Sequence, residues 1–219
     1  MNSQNDFAAG LPAHELVYRQ LRDMVLFGDL EPGQAVTIQG LTDLLQSGMT
    51  QVREARRRLT AEGALTFLGN RRITVPVLTI DDLDQLLLAR RVMEPELARR
   101  ACAAVTPEGI ARLRAIDSQL DSAIDARDMH GYLRFNYAFH MEVYGWSGAT
   151  ILISVVDSLW LRFGPSLRGV LSTLGPRTPP DMHKALIEAL EKGDAAAAAA
   201  AVDADIAQGM ERLRLGLGD

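Results

Sequence analysis

The apolar residues of this chain recur at helical spacing over most of its length, and that period confines the fold to a mainly α architecture. From Asp81 onward the pattern predicts helices near 81–104, 107–126, 129–145, 149–173, 180–192 and 194–215. Breakers separate them. Thr106-Pro107 places a proline in a first turn, where its missing N–H does no harm. Gly145 to Gly148 ends the third helix, and Gly164-Pro165 should kink or divide the fourth. Leu174–Pro180 reads as a stiff linker, and Asp194 after Gly193 offers an N-cap. The run Ala195–Ala201 is accounted for by helix propensity alone. β-rich character is confined to Ala64–Leu68 and Arg72–Val77, joined through Gly69-Asn70, a hairpin signal.

Composition narrows the class further. A length of 219 residues suits two small domains, and 47% hydrophobic with 23% charged residues argues against disorder. The single cysteine, Cys102, excludes an intrachain disulfide framework and reads as packing. No apolar run reaches the roughly 18–20 residues that span a bilayer. Met1–Leu11 lacks a basic residue ahead of an apolar core, so a secretory signal is not expected and a cytoplasmic location is. The net charge of −5 is uneven: residues 1–78 carry eight basic and eight acidic side chains, and all of the excess lies beyond them. Within 47–76, Arg53, Arg56, Arg57, Arg58, Arg71 and Arg72 face only Glu54 and Glu62. An acidic protein with one basic segment suggests a local anionic partner, or else a solvated helix face.

Residues 14–27 read as a helix ended by Gly28, followed by the Pro-Gly turn Asp29–Gly33. Thr37 can cap a short helix carrying Leu41, Leu44 and Leu45; Gln46-Ser47-Gly48 breaks it, and a further helix runs from Met49 or Thr50 to Glu62. Helix, helix, turn, helix, hairpin is the plan of a winged helix-turn-helix over residues 1–78, with an all-α six-helix bundle over 79–219. On the helix 49–62, Thr50, Arg53, Glu54 and Arg57 share one face while Val52, Ala55 and Leu59 share the opposite one. An arginine-bearing face of this kind can enter a major groove, where the planar guanidinium matches guanine O6 and N7 or a phosphate. Thr50 and Gln51 sit at the helix start, where free N–H groups favour an anion. Arg71 and Arg72, at the hairpin tip, could reach the neighbouring backbone or minor groove. In the second domain, Asn136 and His140 lie one turn apart, His183 opens a later helix and Asp205 sits within the last. These donors could converge on one metal in a bundle core or form a hydrogen-bonded polar cluster.

Residues 15–78 resemble the DNA-binding domain of GntR-type bacterial transcription regulators. The resemblance rests on Phe27-Gly28-Asp29-Leu30-Glu31-Pro32-Gly33, then Val52-Arg53-Glu54-Ala55, then Arg58-Leu59-Thr60-Ala61-Glu62-Gly63. Where the family usually has Ser-Arg-Thr-Pro this chain has Gly48-Met49-Thr50-Gln51, and Arg72 stands at the usual hairpin glycine. Both departures set aside the family's standard operator sequence. Residues 83–219 look like the FCD ligand-binding domain of the FadR branch, through Asn136-Tyr137-Ala138-Phe139-His140 and His183-Lys184-Ala185-Leu186-Ile187-Glu188-Ala189-Leu190. That resemblance implies a divalent ion, zinc, nickel or manganese, on Asn136, His140, His183 and Asp205. Two of these positions depart from the family's one Asp and three His. It also implies a small carboxylate metabolite held by the ion and by arginines. Arg90, in Arg90-Arg91-Val92-Met93-Glu94, matches a family signature but could equally bridge to Glu94 or Glu96; Arg162 is a second candidate.

The implied function is a ligand-responsive transcriptional regulator, a homodimer on double-stranded operator DNA, with repression as the expected sense. The competing readings are a metal-binding helical enzyme and a ligand-binding protein without operator recognition. No Gly-rich phosphate loop, G-x-S-x-G or H-E-x-x-H is present, which weakens the enzyme reading.

Overall fold

In the computed structural model, residues 11–69, 72–168 and 181–217 are described. Arg71, the segment 174–180 and most of Met1–Leu11 lie outside them.

The first unit packs α1 (Ala13–Leu26), α2 (Ile38–Leu45) and α3 (Met49–Ala61) against a small sheet of β1 (Ala35–Thr37), β2 (Thr66–Gly69) and β3 (Arg72–Thr74). The strand order is β1-β3-β2, antiparallel throughout. β1 was not expected from sequence. Three residues are too few to display a period, and the strand exists because Ala35–Thr37 pairs with Thr74–Arg72 far along the chain. Val17, Leu21, Val25, Leu41, Val52, Ala55, Leu59, Leu65 and Ile73 form the core of this unit. The punctuation acts as the sequence indicates. Gly28 takes φ +81 after α1, Thr37 caps α2 by accepting from the Gly40 N–H at 3.0 Å, and Gln46 turns left-handed at φ 49 to end it.

The second unit is all helical: α4 (Ile80–Ala101), α5 (Pro107–Asp125), α6 (Met129–Trp146), α7 (Thr150–Phe163), α8 (Met182–Glu191) and α9 (Ala195–Leu217). The fourth expected helix, 149–173, is divided at Gly164-Pro165 as the sequence indicates: its first part is α7, ending at Phe163, Arg168 is again helical, and 169–173 lie outside the described residues. Gly164-Pro165 opens a 3-10 turn, Gly164–Leu167, because proline cannot donate into an α-helical ladder. The mainly α fold with a winged helix-turn-helix and a helical domain is therefore what the chain adopts. Thr79 and Asp82 form a reciprocal capping box at the start of α4. α9 lies along α4 and also packs on α8, and its small residues Ala198 and Ala201 are buried, which lets a helix approach closely.

The two units meet through side chains. The Arg22 Nη2 of α1 donates to the Tyr137 hydroxyl at 2.8 Å and to Asp157 Oδ1 at 2.5 Å, and the Tyr137 hydroxyl donates to the same carboxylate at 2.6 Å. Arg168 donates to the Gly28 carbonyl at 2.6 Å and pairs with Glu31 at 2.9 Å. Among the described residues no helix is long and apolar enough to cross a membrane.

Candidate functional site

Two places on the molecule carry chemistry. The first is the outer face of α3. Val52, Ala55 and Leu59 are buried, while Thr50, Arg53 and Arg57 are exposed on the other side. Arg53 makes no ion pair among the described residues. Among the described residues Arg57 pairs with Glu54 alone, at 2.9 Å and well exposed, a pair of the kind that contributes about 0–1 kcal/mol and exchanges readily. Gln51 is partly buried and Arg72 is exposed at the start of β3. The N-cap of α3 is Gly48, which supplies no side-chain acceptor, whereas α2, α4, α5, α6 and α8 are each capped by a Thr or Asp side chain. The N–H groups at the start of α3 thus stay available to an external anion.

Not every arginine of the basic segment faces outward. Arg58 lies over the Tyr18 ring, 3.5 Å from its centroid, and pairs with Glu15 at 2.9 Å and Glu62 at 3.2 Å. Glu62 also accepts from the Tyr18 hydroxyl, so these side chains fasten α3 to α1. At the far end of α3, the Arg162 Nε donates to the Glu62 carbonyl at 3.2 Å. Gly63, at φ +78, leaves the room: a Cβ there would stand 2.7 Å from the guanidinium. Arg162 was expected in a ligand pocket. It instead closes the C-terminal end of α3, where its charge suits the helix dipole.

The second place is the core of the helical unit. His140, His183 and Asp205 each offer a donor atom within 4.8 Å of the others. A cavity of about 50 Å³ is lined there by Arg90, Tyr132, Asn136, His140, Trp160, Asp205, Gln208, Gly209 and Arg212 among others. α6 brings Asn136 and His140 on successive turns, α8 contributes His183 from its first turn, and α9 contributes Asp205.

The hydrogen bonds around the two imidazoles decide their tautomers. The Tyr144 hydroxyl donates to Glu94 Oε2 at 2.7 Å, so toward His140 Nδ1, 3.2 Å away, it offers a lone pair and Nδ1 carries the proton. His183 Nδ1 lies 3.4 Å from Oδ1 of Asp117, a buried carboxylate, and is protonated for the same reason. Both Nε2 atoms then face Asp205, at 3.2 Å from Oδ2 and 3.7 Å from Oδ1. Lone pairs face lone pairs unless a cation, proton or metal, lies between them. This arrangement fits a divalent ion: each imidazole is oriented through its other nitrogen by an acceptor. Burial lowers the His140 pKa against the pull of Asp205. For His183 burial also opposes protonation, but Asp117, Asp205 and Asp181 together outweigh it and raise the pKa. Asp205 is pushed up by burial, yet its bond to His140 and the neighbouring positive charges hold it below the usual carboxylate range.

Arg90 lines this cavity but is already engaged. Its Nε and Nη2 bind Glu94 at 2.5 and 3.2 Å, both side chains are buried, and its guanidinium lies 3.9 Å from the Phe163 ring centroid and 5.0 Å from that of Trp160. The bridge to Glu94, an alternative left open by the sequence, is the one formed. Asp117, Tyr144 and Trp160 were missed because nothing local distinguishes them. Arg212 and Gln208 left a readable signal, since they follow Asp205 at seven and three residues and so share its face of α9. Cys102 is partly buried, and burial raises its thiol pKa, as suits an unreactive side chain.

Comparison with known proteins places the chain. Residues 13–75 match the model for bacterial regulatory proteins of the gntR family, and residues 85–208 match that for the FCD domain. The HTH-type transcriptional regulator McbR of Escherichia coli K12 is 28% identical over 181 residues, covering 81% of this chain and 82% of McbR. The Nta operon transcriptional regulator of Aminobacter aminovorans is 32% identical over 130 residues, 58% of this chain and 60% of that one. The solved structure of McbR superposes with a TM-score of 0.86 at 25% identity, covering 94% of this chain and 98% of its own.

Proposed function

Because the chain belongs to the GntR family of bacterial transcription regulators and carries that family's FCD domain, we propose that it acts as a FadR-branch regulator whose grip on operator DNA is set by a small carboxylate in the helical domain. The family is one of transcription regulators rather than enzymes, which sets the enzyme reading aside. We divide the chain into a reader, 1–78, and a sensor, 79–219, and take repression in the cytoplasm as its mode. The observation that carries the reading is the outer face of α3, with Arg53 and Arg57 outward above a buried apolar face and an N-terminus without a side-chain cap. Thr50, Gln51, Arg53 and Arg57 would meet the major groove, and Arg71 and Arg72 the flanking backbone.

A homodimer is supported by two exposed apolar pairs at one-turn spacing on adjacent helices, Leu88 and Val92 on α4 and Ile151 and Val155 on α7. Contiguous apolar surface of this kind is normally covered, and a second copy would place two readers on a two-fold operator. In the sensor, His140, His183 and Asp205, with Asn136 as fourth donor, would hold one zinc, nickel or manganese ion. When bound, the ion supplies a Lewis-acidic anchor for an acid. Arg90 is left to support the wall rather than the ligand.

The test combines two measurements. A gel shift with the protein's own promoter DNA should show affinity falling steeply with salt, as phosphate contacts require. A thermal-shift screen of organic acids, with and without divalent ions, should raise the midpoint for at least one acid. A promoter fragment bound no better than random DNA at every salt concentration refutes the reader. Dialysed protein that takes up no zinc, nickel or manganese at micromolar concentration refutes the ion.

A further inference from the structure

Resting on the reading of α3 as the element that enters the major groove, we propose that Met49 is a specificity-determining residue of the reader, and that its thioether side chain packs on the 5-methyl group of a thymine close to the base pair met by Arg53.

Met49 is the first residue of α3 and is 42% exposed. Other methionines of the chain behave differently. Met24, Met93, Met129 and Met141 are partly buried and pack against the core, and Met49 is not among the side chains packed there. The helix does not ask for an apolar side chain at this place either. A first turn favours proline or an acidic group, because its N–H groups are free and the dipole is positive there. The first turn of α3 holds neither. A lone exposed apolar side chain on a protein surface has no meaning by itself. Its position gives this one a meaning. Met49 stands one turn before Arg53 on the same side of α3, with Thr50 and Arg57 exposed beside it. The first residues of a recognition helix are the ones that reach base edges.

Chemistry then selects the base. On the major-groove edges, guanine, adenine and cytosine present hydrogen-bond donors and acceptors, and thymine adds a methyl group. A side chain without a donor that covers a polar edge shuts out its water and gives nothing in return. Against the thymine methyl the same side chain loses nothing and buries apolar surface. Methionine suits this contact, since its unbranched, polarizable chain adapts to the distance that docking leaves. Four residues of α-helix rise about 6 Å and successive base pairs are about 3.4 Å apart, so the thymine lies within about two base pairs of the one met by Arg53. Burying one methyl-sized group is worth about 0.8 kcal/mol, which is about a fourfold change in affinity for each half-site. Met49 carries no charge, so this contact leaves the salt dependence of binding untouched.

The experiment uses the full-length protein and the operator located by footprinting within its own promoter. Each thymine of one half-site is replaced singly by deoxyuridine, which differs from it only in lacking the 5-methyl group, and affinity is read by filter binding. Wild type should lose about fourfold at one thymine. Met49→Ala should bind the unmodified operator about fourfold more weakly, lose nothing further when that thymine is replaced, and keep the wild-type salt slope and melting temperature. Met49→Leu, still apolar and of like size, should keep most of the methyl sensitivity. With that T·A pair changed to C·G, methylating the cytosine at C5 should strengthen binding by wild type and leave Met49→Ala unaffected. An operator bound well above random DNA at which every deoxyuridine is silent overturns the role of Met49 and leaves the reader intact. Methyl sensitivity that persists in Met49→Ala overturns it as well, assigning the methyl to another side chain such as Thr50. If the promoter is bound no better than random DNA, the reading of α3 falls and this inference falls with it.

Discussion

Replacing Arg22 by alanine removes a guanidinium that fastens the reader to the sensor, and the structure sets the size of the effect. The Arg22 side chain is 14% exposed and its partner Asp157 32% exposed, so the pair is neither a surface bridge nor a fully buried one. Exposed pairs contribute about 0–1 kcal/mol, whereas removing one member of a buried pair costs about 3–5 kcal/mol. Asp157 keeps the Tyr137 hydroxyl as a donor at 2.6 Å and can take up water on its exposed side. A loss of about 2 kcal/mol is therefore expected. For a chain of this size 1 kcal/mol moves the melting temperature by about 2–4 °C, so the variant should melt about 4–8 °C lower by calorimetry. Asp157→Asn should cost less, and the double variant should lose less than the sum of the singles by about 1 kcal/mol, because the two side chains share one interaction. A fall of about 1 °C or less, or strict additivity, would refute the clamp.

Other outcomes follow from the same geometry. Arg53→Ala should weaken operator binding by about 1–3 kcal/mol if the guanidinium reads a base, with the melting temperature nearly unchanged, since Arg53 is exposed and unpaired among the described residues; unaltered affinity for the operator in a filter-binding or gel-shift assay removes it from the reading face. Burial, then the bond and charge of Glu62, push the Tyr18 phenol up to about 12. In the unfolded chain the phenol ionises near 10, so between pH 10 and 12 the unfolded state releases a proton that the folded state keeps, and stability falls as pH rises. Tyr18→Phe should be less stable than wild type at pH 9, with the gap narrowing toward pH 12; a gap constant with pH would count against the Tyr18–Glu62 contact.

The reader was largely legible because its signals are local. Gly28, Thr37 and Gln46 punctuate the chain within one or two residues of where the backbone turns, and the split of Val52, Ala55 and Leu59 from Arg53 and Arg57 is a property of one helix. The sensor was legible only where residues share a helix. Asn136 and His140 announce a common face, but which atoms meet Asp205 depends on how α6, α8 and α9 cross. Asp117 fixes the His183 tautomer from 66 residues away and Tyr144 that of His140 from the next turn, with no motif of their own. Arg162 was misplaced for the opposite reason. Its position on α7 allows either the bundle core or the exterior, and only the docking of α3's end against α7 selects the exterior. β1 lies beyond local reading altogether, since its stability comes from β3.

The indole of Trp160 touches His140 at a ring-centroid distance of 5.2 Å on one side and Tyr137 at 5.6 Å on the other. It is thus a party wall between the cavity lined by His140 and Asp205 and the joint that Arg22 closes. Enlarging the chamber by trimming this wall would loosen the joint as well, so a new ligand could not be accommodated there without disturbing the response to it. Diversification of ligand preference among proteins built on this plan should accordingly run through Gln208 and Arg212, on the face of α9 that lines the cavity, and leave the indole in place.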